Sequence, residues 1–408
     1  MATVIKSIRA SGGDYSTVAA WESDVDNDTP YDAGDDAIGE MYAEAYNETV
    51  TINGGGTLGL ASVTLRANAA ERHDGTPGSG PRFVSTANPF IGINGSTIPF
   101  YIEFIEYNHN DGSDSEILTA NTGSVVRFRN LIVHNSATDS TSFNCYGIRD
   151  RGSSSDVEID NCLVFDINDI GTGTIVGIIG NNGTCKIRNC TVTGVANTNG
   201  TSGTAHGINY QDVAGSTVQN NLVTDITSTA GTALCYNDST ATTATTDTNG
   251  SDDATSPQSG LRNLSVTFEN AAGSDFRLAA GDDGIDAGTD LGTGSVAIDL
   301  LGRNRDTEGD TWDLGGFELQ SVINIQLTLV DNLGNPLASL TGIKWAWFDS
   351  ADPNTFAAPT DKGNAEITDS SGLLDITLNS TTLTTGQTGT LVLFLGTGTD
   401  YASFRITL

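Results

Sequence analysis

A repeat of roughly 30 residues in the middle of the chain limits the possible folds more than any other feature of this sequence. Four segments carry the same pattern of apolar residues around an asparagine, namely 127–133, 158–164, 186–192 and 217–223. Their asparagines, Asn130, Asn161, Asn189 and Asn220, are almost evenly spaced. A Gly-Ile pair at Gly147, Gly177 and Gly207 recurs with nearly the same period. Two markers with one period indicate a solenoid, in which each repeat forms one coil.

The pattern within each repeat predicts two short strands joined by a bend. Apolar residues stand two positions before the asparagine and three positions after it, so strand alternation is interrupted at the asparagine itself. Asparagine tolerates left-handed backbone geometry, which places it in the bend and predicts an asparagine ladder along the stack. Coils stacked at the ~4.8 Å spacing of paired strands would enclose one apolar column. The sequence therefore predicts a parallel β-helix, with Cys162 and Cys190 as core residues.

The flanking segments predict a cap and a second domain. Thr17 before Val18 and Trp21 indicates a short capping helix over the first coil. The polar run 239–253 contains no core-forming residue and predicts a surface loop. Alternating strands and turns dominate after residue 320. We therefore expect a parallel β-helix domain with an N-terminal cap at 1–320 and an immunoglobulin-like β-sandwich at 321–408, with Trp345 or Trp347 between its sheets.

Charge and cysteine content exclude some classes of function. The chain has 51 acidic and 18 basic residues, a formal charge of -33, so it would repel a nucleic-acid backbone. No segment is apolar enough for a signal peptide or a membrane span, which predicts synthesis in the cytoplasm and no membrane insertion. Five cysteines cannot all pair, and buried free thiols are the simpler interpretation.

Both ends of the predicted solenoid carry motifs of a known superfamily. The opening segment 11–22 and the later segments 275–278 with 284–288, 299–305 and 312–318 resemble the cap, closing coil and final signature of the pectate-lyase-like right-handed parallel β-helix superfamily. That resemblance implies fold but not activity, because the superfamily includes lyases, hydrolases, adhesins and phage proteins. With an appended immunoglobulin-like domain and no export signal, the chain resembles proteins of tailed-phage particles.

The catalytic motifs of pectin-cleaving relatives are not reproduced. Asn197-Thr198-Asn199 lacks the family's acid, Ala205-His206-Gly207 lacks its first glycine, and Asp282-Asp283 follows the histidine instead of preceding it. The chain has only four lysines, so a lyase-type base is poorly supplied. We therefore predict a protein that is not an enzyme and has no catalytic, cofactor-binding or metal-binding residues. A paired-carboxylate glycosidase site stays an open alternative, as does calcium at 24–28 or 111–116.

The leading hypothesis is a bacteriophage virion surface protein, made in the host cytoplasm, that decorates the capsid and is anchored by its C-terminal domain. Expected partners are other virion proteins of the capsid or tail and further copies of the same chain. One alternative is a tail spike or fibre that binds, and in one version cleaves, host surface polysaccharide. Another is a bacterial surface adhesin.

Overall fold

The structure is a computed structural model, and it describes most of the chain. The described residues are 2–27, 30–53, 59–85, 91–93, 98–109, 115–121, 123–138, 144–152, 154–180, 183–210, 215–238, 244–307 and 311–319, together with the backbone of six strands after residue 321. Within these residues, no helix is both long enough and apolar enough to cross a membrane.

The strands between Thr3 and Ser251 form a parallel β-solenoid of about seven turns, built from three sheets. Sheet A contains β1 (Thr3–Ile8), β2 (Asp36–Met41), β5 (Ser62–Ala67), β8 (Phe100–Glu103), β11 (Val125–Arg129), β14 (Asp156–Asp160), β17 (Thr184–Arg188), β20 (Thr217–Gln219) and β23 (Thr245–Asp247). Sheet B contains β3 (Ala45–Tyr46), β6 (Arg82–Ser85), β9 (Glu106–His109), β12 (Ile132–Thr138), β15 (Leu163–Asp169), β18 (Thr191–Asn197), β21 (Leu222–Ser228) and β24 (Gly250–Ser251). Sheet C contains β4 (Val50–Ile52), β7 (Ile91–Ile93), β10 (Ser115–Ala120), β13 (Cys145–Asp150), β16 (Thr174–Gly180), β19 (Thr204–Tyr210) and β22 (Ala233–Asp238).

The predicted repeat is confirmed by the register between neighbouring coils. Phe128 pairs with Ile159 and Ile159 with Ile187, and all three are fully buried in the central column. Cys162 and Cys190 lie in the same column. Each coil can bury its apolar face only against the next coil, so the period of the sequence becomes the period of the stack.

The four asparagines line up at the bend between sheets A and B. Their φ angles lie between 51° and 56°, the left-handed region that asparagine tolerates. Asn161 donates its backbone N–H to the carbonyl of Arg188, and Asn189 donates to Gln219, both at 3.0 Å. The predicted ladder of positions is therefore confirmed, but the side-chain amides bind a different segment, described below.

The Gly-Ile marker reflects close approach inside the coil. A Cβ at Gly177 would lie 2.5 Å from Cγ1 of Val192 and 2.8 Å from the carbonyl oxygen of Gly207. A Cβ at Gly147 would likewise meet Val164 of sheet B, and one at Gly207 would meet Val223. Glycine recurs once in each of these coils because sheet C has no room for a side chain there.

A short helix covers the first coil, as predicted. Helix α1 (Val18–Asp26) begins after Thr17, whose side chain accepts from the N–H of Ala20 at 3.1 Å. Glu48 accepts from the first two N–H groups of the helix, at 2.8 and 3.0 Å. Trp21 is fully buried against the coil. The helix therefore shields the end of the core from water.

The polar run 239–253 is not only a surface loop, and that prediction was wrong. Residues 239–243 lie outside the described part, but β23 and β24 complete the last coil. Asn249 is fully buried and accepts from the side-chain amide of Asn221 at 2.9 Å. Hydrogen bonds to the preceding coil hold this polar coil in place.

Side-chain oxygens close this end of the stack. Asp253 accepts from the N–H of Cys235, Thr255 from that of Tyr236, and Gln258 from that of Asn249, at 3.0, 2.9 and 2.9 Å. These oxygens take the place of a further strand at the exposed edge.

The segment that resembles a closing coil forms no further turn of the solenoid in the described residues. Residues 284–306 and 311–318, here called the return segment, run back along the asparagine bend. Asn220 donates its side-chain amide to the carbonyl of Thr289 at 2.6 Å, Asn189 to Val296 at 2.8 Å and Asn161 to Ser295 at 2.9 Å. Thr289 thus binds the latest of the four coils, Ser295 and Val296 bind the two middle ones, and the Asp299 carbonyl accepts from Asn130 of the earliest, so the segment as a whole runs opposite to the direction of stacking.

A buried ion pair fixes the end of the return segment. Arg305, which is fully buried, donates to the Glu318 carboxylate at 2.8 Å and to the carbonyl of Gly315 at 2.7 Å. Its guanidinium also reaches the side-chain oxygen of Asn161 at 3.3 Å. The final signature motifs thus bind the side of the solenoid instead of its end.

The chain forms two compact units, residues 1–306 with 311–318 and residues 307–310 with 319–408. The second unit contains β27 (Val322–Thr328) paired with β30 (Leu373–Asn379). A second sheet has the order β29 (Asp361–Ala365), β28 (Ile343–Phe348), β31 (Thr388–Phe394), β32 (Tyr401–Thr407). All these pairs are antiparallel. The side chains of Trp345 and Trp347 lie outside the described part.

Candidate functional site

A cleft of about 310 Å³ lies between the outer face of sheet B and a hairpin that precedes the return segment. The hairpin consists of β25 (Phe268–Asn270) and β26 (Asp275–Leu278), which are antiparallel. Residues from four successive coils line one side of the cleft and hairpin residues line the other. The lining residues are Phe165, Asp166, Thr193, Gly194, Thr224, Asp225, Asp252, Val266, Phe268, Ala271 and Phe276.

The floor of the cleft is one outward row of sheet B. Phe165 pairs with Thr193, and Thr193 with Thr224, in successive strands. Thr224 donates its hydroxyl to that of Thr193 at 3.1 Å. The Phe165 ring stacks on His134 with centroids 4.8 Å apart. The floor therefore changes from aromatic to hydroxylated along the stack.

Two carboxylates stand on either side of a glycine beside this floor. Asp166, Gly194 and Asp225 have φ angles of 52°, 61° and 52°, so each occupies the same left-handed position in its coil. A Cβ at Gly194 would lie 3.4 Å from Oδ1 of Asp166. Both aspartates are exposed, and neither pairs with a cation within the described part of the chain. Their Cα atoms are two coils apart, about 9.6 Å at ~4.8 Å per coil.

A third carboxylate lies at the end of the cleft and already accepts two hydrogen bonds within the protein. Asp252 accepts from the backbone N–H of Asp225 at 2.8 Å and from the thiol of Cys235 at 3.1 Å. Burial, and after it the charge of Asp252, raises the pKa of the Cys235 thiol. The thiol therefore stays protonated and acts as a donor.

Aromatic rings form the opposite wall. Phe276 packs against Phe165 with centroids 4.7 Å apart, and Phe268 meets Phe276 edge to face at 5.3 Å. Phe276 is buried, whereas Phe268 is only partly buried. Phe268 thus offers apolar surface opposite the hydroxyls and carboxylates of sheet B. Such a cleft suits a ligand with both hydroxyl groups and C–H faces.

The residues tested against the pectin-cleaving motifs bind separate groups. Asn197 donates its amide to the carbonyl of Gly171 at 3.1 Å. Asp282 accepts from the N–H of Gly284 at 2.7 Å, and Asp283 from that of Ser265 at 2.9 Å. His206 lies on the outer face of sheet C, where burial lowers its pKa. None of these residues lines the cleft.

The remaining candidates have structural partners. All five cysteines are free and buried, as predicted. His73 contacts the carbonyl of Asn130 at 2.8 Å, and His134 contacts Glu106 at 2.9 Å. Asp24 accepts from the hydroxyl of Tyr15 at 2.7 Å. Asp28 and residues 111–114 of the two calcium candidates lie outside the described residues, and the described residues contain no cluster of three or more potential metal ligands.

Reasoning from the sequence missed the cleft, although the repeat contains a signal for it. Asn135, Asp166, Gly194 and Asp225 each stand at the same offset after a bend asparagine. That offset predicts one shared position per coil. The hairpin that turns this row into a cleft comes from an unrelated part of the chain. No protein-family model, no curated protein and no solved structure matches this chain.

Proposed function

We propose that this chain is a non-enzymatic structural protein of a bacteriophage virion surface, which decorates the capsid and is attached by residues 321–408. In this proposal the solenoid is right-handed and pectate-lyase-like, and the C-terminal unit is immunoglobulin-like. The observation that carries the proposal is the closure of both solenoid ends by the chain itself, with α1 at one end and Asp253, Thr255 and Gln258 at the other. Because both ends of the solenoid are covered, other virion proteins would contact its sides.

The charge of the chain also supports this role. A formal charge of -33 opposes non-specific association with other acidic surfaces and keeps the particle exterior soluble. The test is electron microscopy of purified phage particles with gold-labelled antibody against the protein. We expect label distributed over the shell. Label confined to the tail tip, or absent from the particle, would contradict capsid decoration.

The cleft supports a second candidate function, a tail spike or fibre that binds host surface polysaccharide. Carboxylates such as Asp166 and Asp225 accept hydrogen bonds from sugar hydroxyls, and the Phe268 ring can pack on a C–H face of a sugar. A volume of about 310 Å³ is at the lower end for ligand pockets and suits one or two sugar rings.

A glycan array tests this second function. Asp225→Asn and Phe268→Ala should each weaken binding to any glycan recognised by the unmodified protein, by about tenfold for a loss of about 1.4 kcal/mol. Glu269→Gln is the matched control, because Glu269 is exposed on the same hairpin and does not line the cleft. Equal effects of all three substitutions would place binding elsewhere. New reducing ends released from a bound glycan would overturn the non-enzymatic proposal.

A further inference from the structure

The outer face of sheet A carries two rows of side chains with a regular order of charges. The register of β2, β5, β8, β11, β14 and β17 aligns one row next to the asparagine bend, here called the edge row: Glu40, Arg66, Glu103, Arg129, Asp160 and Arg188. The same register aligns a second row two positions earlier in each strand, here called the middle row: Ile38, Thr64, Tyr101, Arg127, Glu158 and Lys186.

Charge alternates strictly along the edge row, from one coil to the next. Arg66 pairs with Glu40 at 3.1 Å, Arg129 with Glu103 at 3.3 Å, and Arg188 with Asp160 at 2.7 Å. In the middle row, Glu158 lies between Arg127 and Lys186 and pairs with both, at 3.3 and 2.8 Å. Neighbouring coils therefore meet with opposite charges, which favours the observed register.

These two rows differ in charge from the rest of the molecule. Together they carry five basic and four acidic side chains, and with Asp36 and Asp156, which point outward two positions before the middle row, the face has a net charge of -1, whereas the whole chain has a formal charge of -33. The side chains of Arg66 and Lys186 are about one-third exposed, and Asp160 is buried by Arg188 and Ser295. Two copies of so acidic a chain repel each other strongly unless they meet through such a face.

We propose that this face is the contact surface between two copies of the chain, packed antiparallel about a twofold axis that runs along the strands between β8 and β11. Rotation about such an axis reverses the order of the coils and keeps positions along the strand. The edge row then faces the edge row of the second copy. Glu103 lies opposite Arg129 and Glu40 opposite Arg188, and both pairs have opposite signs. Arg66 lies opposite the position of Asp160, whose side chain is fully buried in its own copy.

The middle row agrees with the same arrangement. Tyr101 lies opposite Arg127 of the second copy, which suits a contact between a guanidinium and an aromatic ring. Within one copy, the Tyr101 ring already lies under Arg129, with 4.9 Å from the guanidinium carbon to the ring centroid. Thr64 lies opposite Glu158, and Ile38 opposite Lys186. None of these opposed pairs brings like charges together.

Other twofold arrangements of this face oppose like charges. A twofold axis parallel to the solenoid would place each coil opposite the same coil of the second copy, with the two strands antiparallel. The middle row of one copy would then face the edge row of the other. Arg127 would then face Arg129, Glu158 would face Asp160, and Lys186 would face Arg188. A shift of the antiparallel arrangement by one coil would place like charges opposite along the whole edge row. The charge order thus disfavours these alternatives, and among the registers of the antiparallel arrangement the one centred between β8 and β11 opposes the largest number of unlike charges.

Crosslinking of the full chain tests the orientation. Glu40 and Arg188 are five coils apart, about 24 Å at ~4.8 Å per coil, and face each other across sheets about 10 Å apart only in the antiparallel dimer. Glu40→Cys and Arg188→Cys variants are treated separately, and as a 1:1 mixture, with a bis-maleimide of about 10 Å span. The five native thiols are buried and do not compete. We expect a covalent dimer only in the mixture, and a dimer in either single variant would overturn the proposal.

Sedimentation equilibrium at physiological salt tests the association itself. We expect a dimer of the unmodified chain, and a monomer or a trimer at micromolar concentration would overturn the proposal. Arg129→Glu should raise the dimer dissociation constant at least tenfold. The double variant Glu103→Arg with Arg129→Glu restores opposite charges between positions 103 and 129, both within a copy and between copies. It also places like charges beside Arg66 and Asp160 in the same copy, so its dissociation constant should recover by at least about threefold relative to Arg129→Glu alone. Circular dichroism identifies any variant that fails to fold, and failure of the double variant to recover while folded contradicts the proposed pairing.

Discussion

The side-chain amide of Asn189 donates a 2.8 Å hydrogen bond to the backbone carbonyl of Val296, 107 residues later in the chain. The same asparagine has a φ angle of 51° and donates its backbone N–H to the next coil. One residue thus forms the bend of its coil, continues the stack and holds the return segment. A glycine substitution at this position tests the side-chain hydrogen bond separately from the backbone conformation, because glycine adopts the same positive φ but has no side chain.

Asn189→Gly should lower the free energy of unfolding by about 1 kcal/mol, since it leaves the Val296 carbonyl without its donor. Asn135→Gly is the matched control, because Asn135 also has a positive φ but is exposed, and its side-chain amide donates only a solvent-exposed hydrogen bond to Asn108. We expect the control to change stability by at most about 0.5 kcal/mol. Urea unfolding measures both values. Equal losses would show that the return segment does not depend on this bond.

Gly177→Ala should destabilise the solenoid by about 1–3 kcal/mol, because the added methyl group would meet Val192 and the backbone of Gly207. Gly200→Ala provides the comparison, since nothing lies within 4 Å of a Cβ at that position. Thermal melting of both variants measures the difference. A harmless Gly177→Ala substitution would contradict the close packing of sheet C against sheet B.

Stability should fall as the pH rises through the titration of Glu22 in the cap helix. Burial raises the pKa of Glu22 from 4.5 to about 7, and the nearby Asp26 adds to the shift. A folded-state pKa above the unfolded value means that its contribution to stability is complete below pH 4.5. That contribution is lost progressively up to about pH 7. The loss is on the order of 3 kcal/mol at most.

Glu22→Gln should therefore flatten the dependence of melting temperature on pH between 5 and 8. Glu269→Gln, which removes an equal charge from an exposed position, should leave the slope unchanged. Parallel curves for the unmodified protein and Glu22→Gln would exclude Glu22 as the titrating group.

The thiols should be unreactive in the folded protein. Burial is the first cause of the raised pKa values of Cys162 and Cys185, and all five cysteines are buried. A thiol-specific reagent should therefore label none of them under native conditions and all five in denaturant. Rapid labelling of the native protein would show that the coils open locally.

The sequence by itself determined the coil, its bend and its core. Asn161, Cys162 and Gly177 belong to patterns that recur from coil to coil, and each pattern has a local cause in backbone conformation, strand alternation or close packing. Because every coil packs against a nearly identical neighbour, the same residue types are needed at the same positions of each repeat. The period was therefore sufficient to predict which positions stack.

Only the tertiary structure decided the last coil, the path of the return segment and the cleft. Asn249 completes a polar coil because Asn221 and Gln258 supply hydrogen bonds to it, and Arg305 is buried because Glu318 and Asn161 surround it. The cleft forms because Phe276 packs on Phe165, which lies far earlier in the chain. These contacts join segments with no common pattern, so their free energy depends on distant partners that no local periodicity encodes.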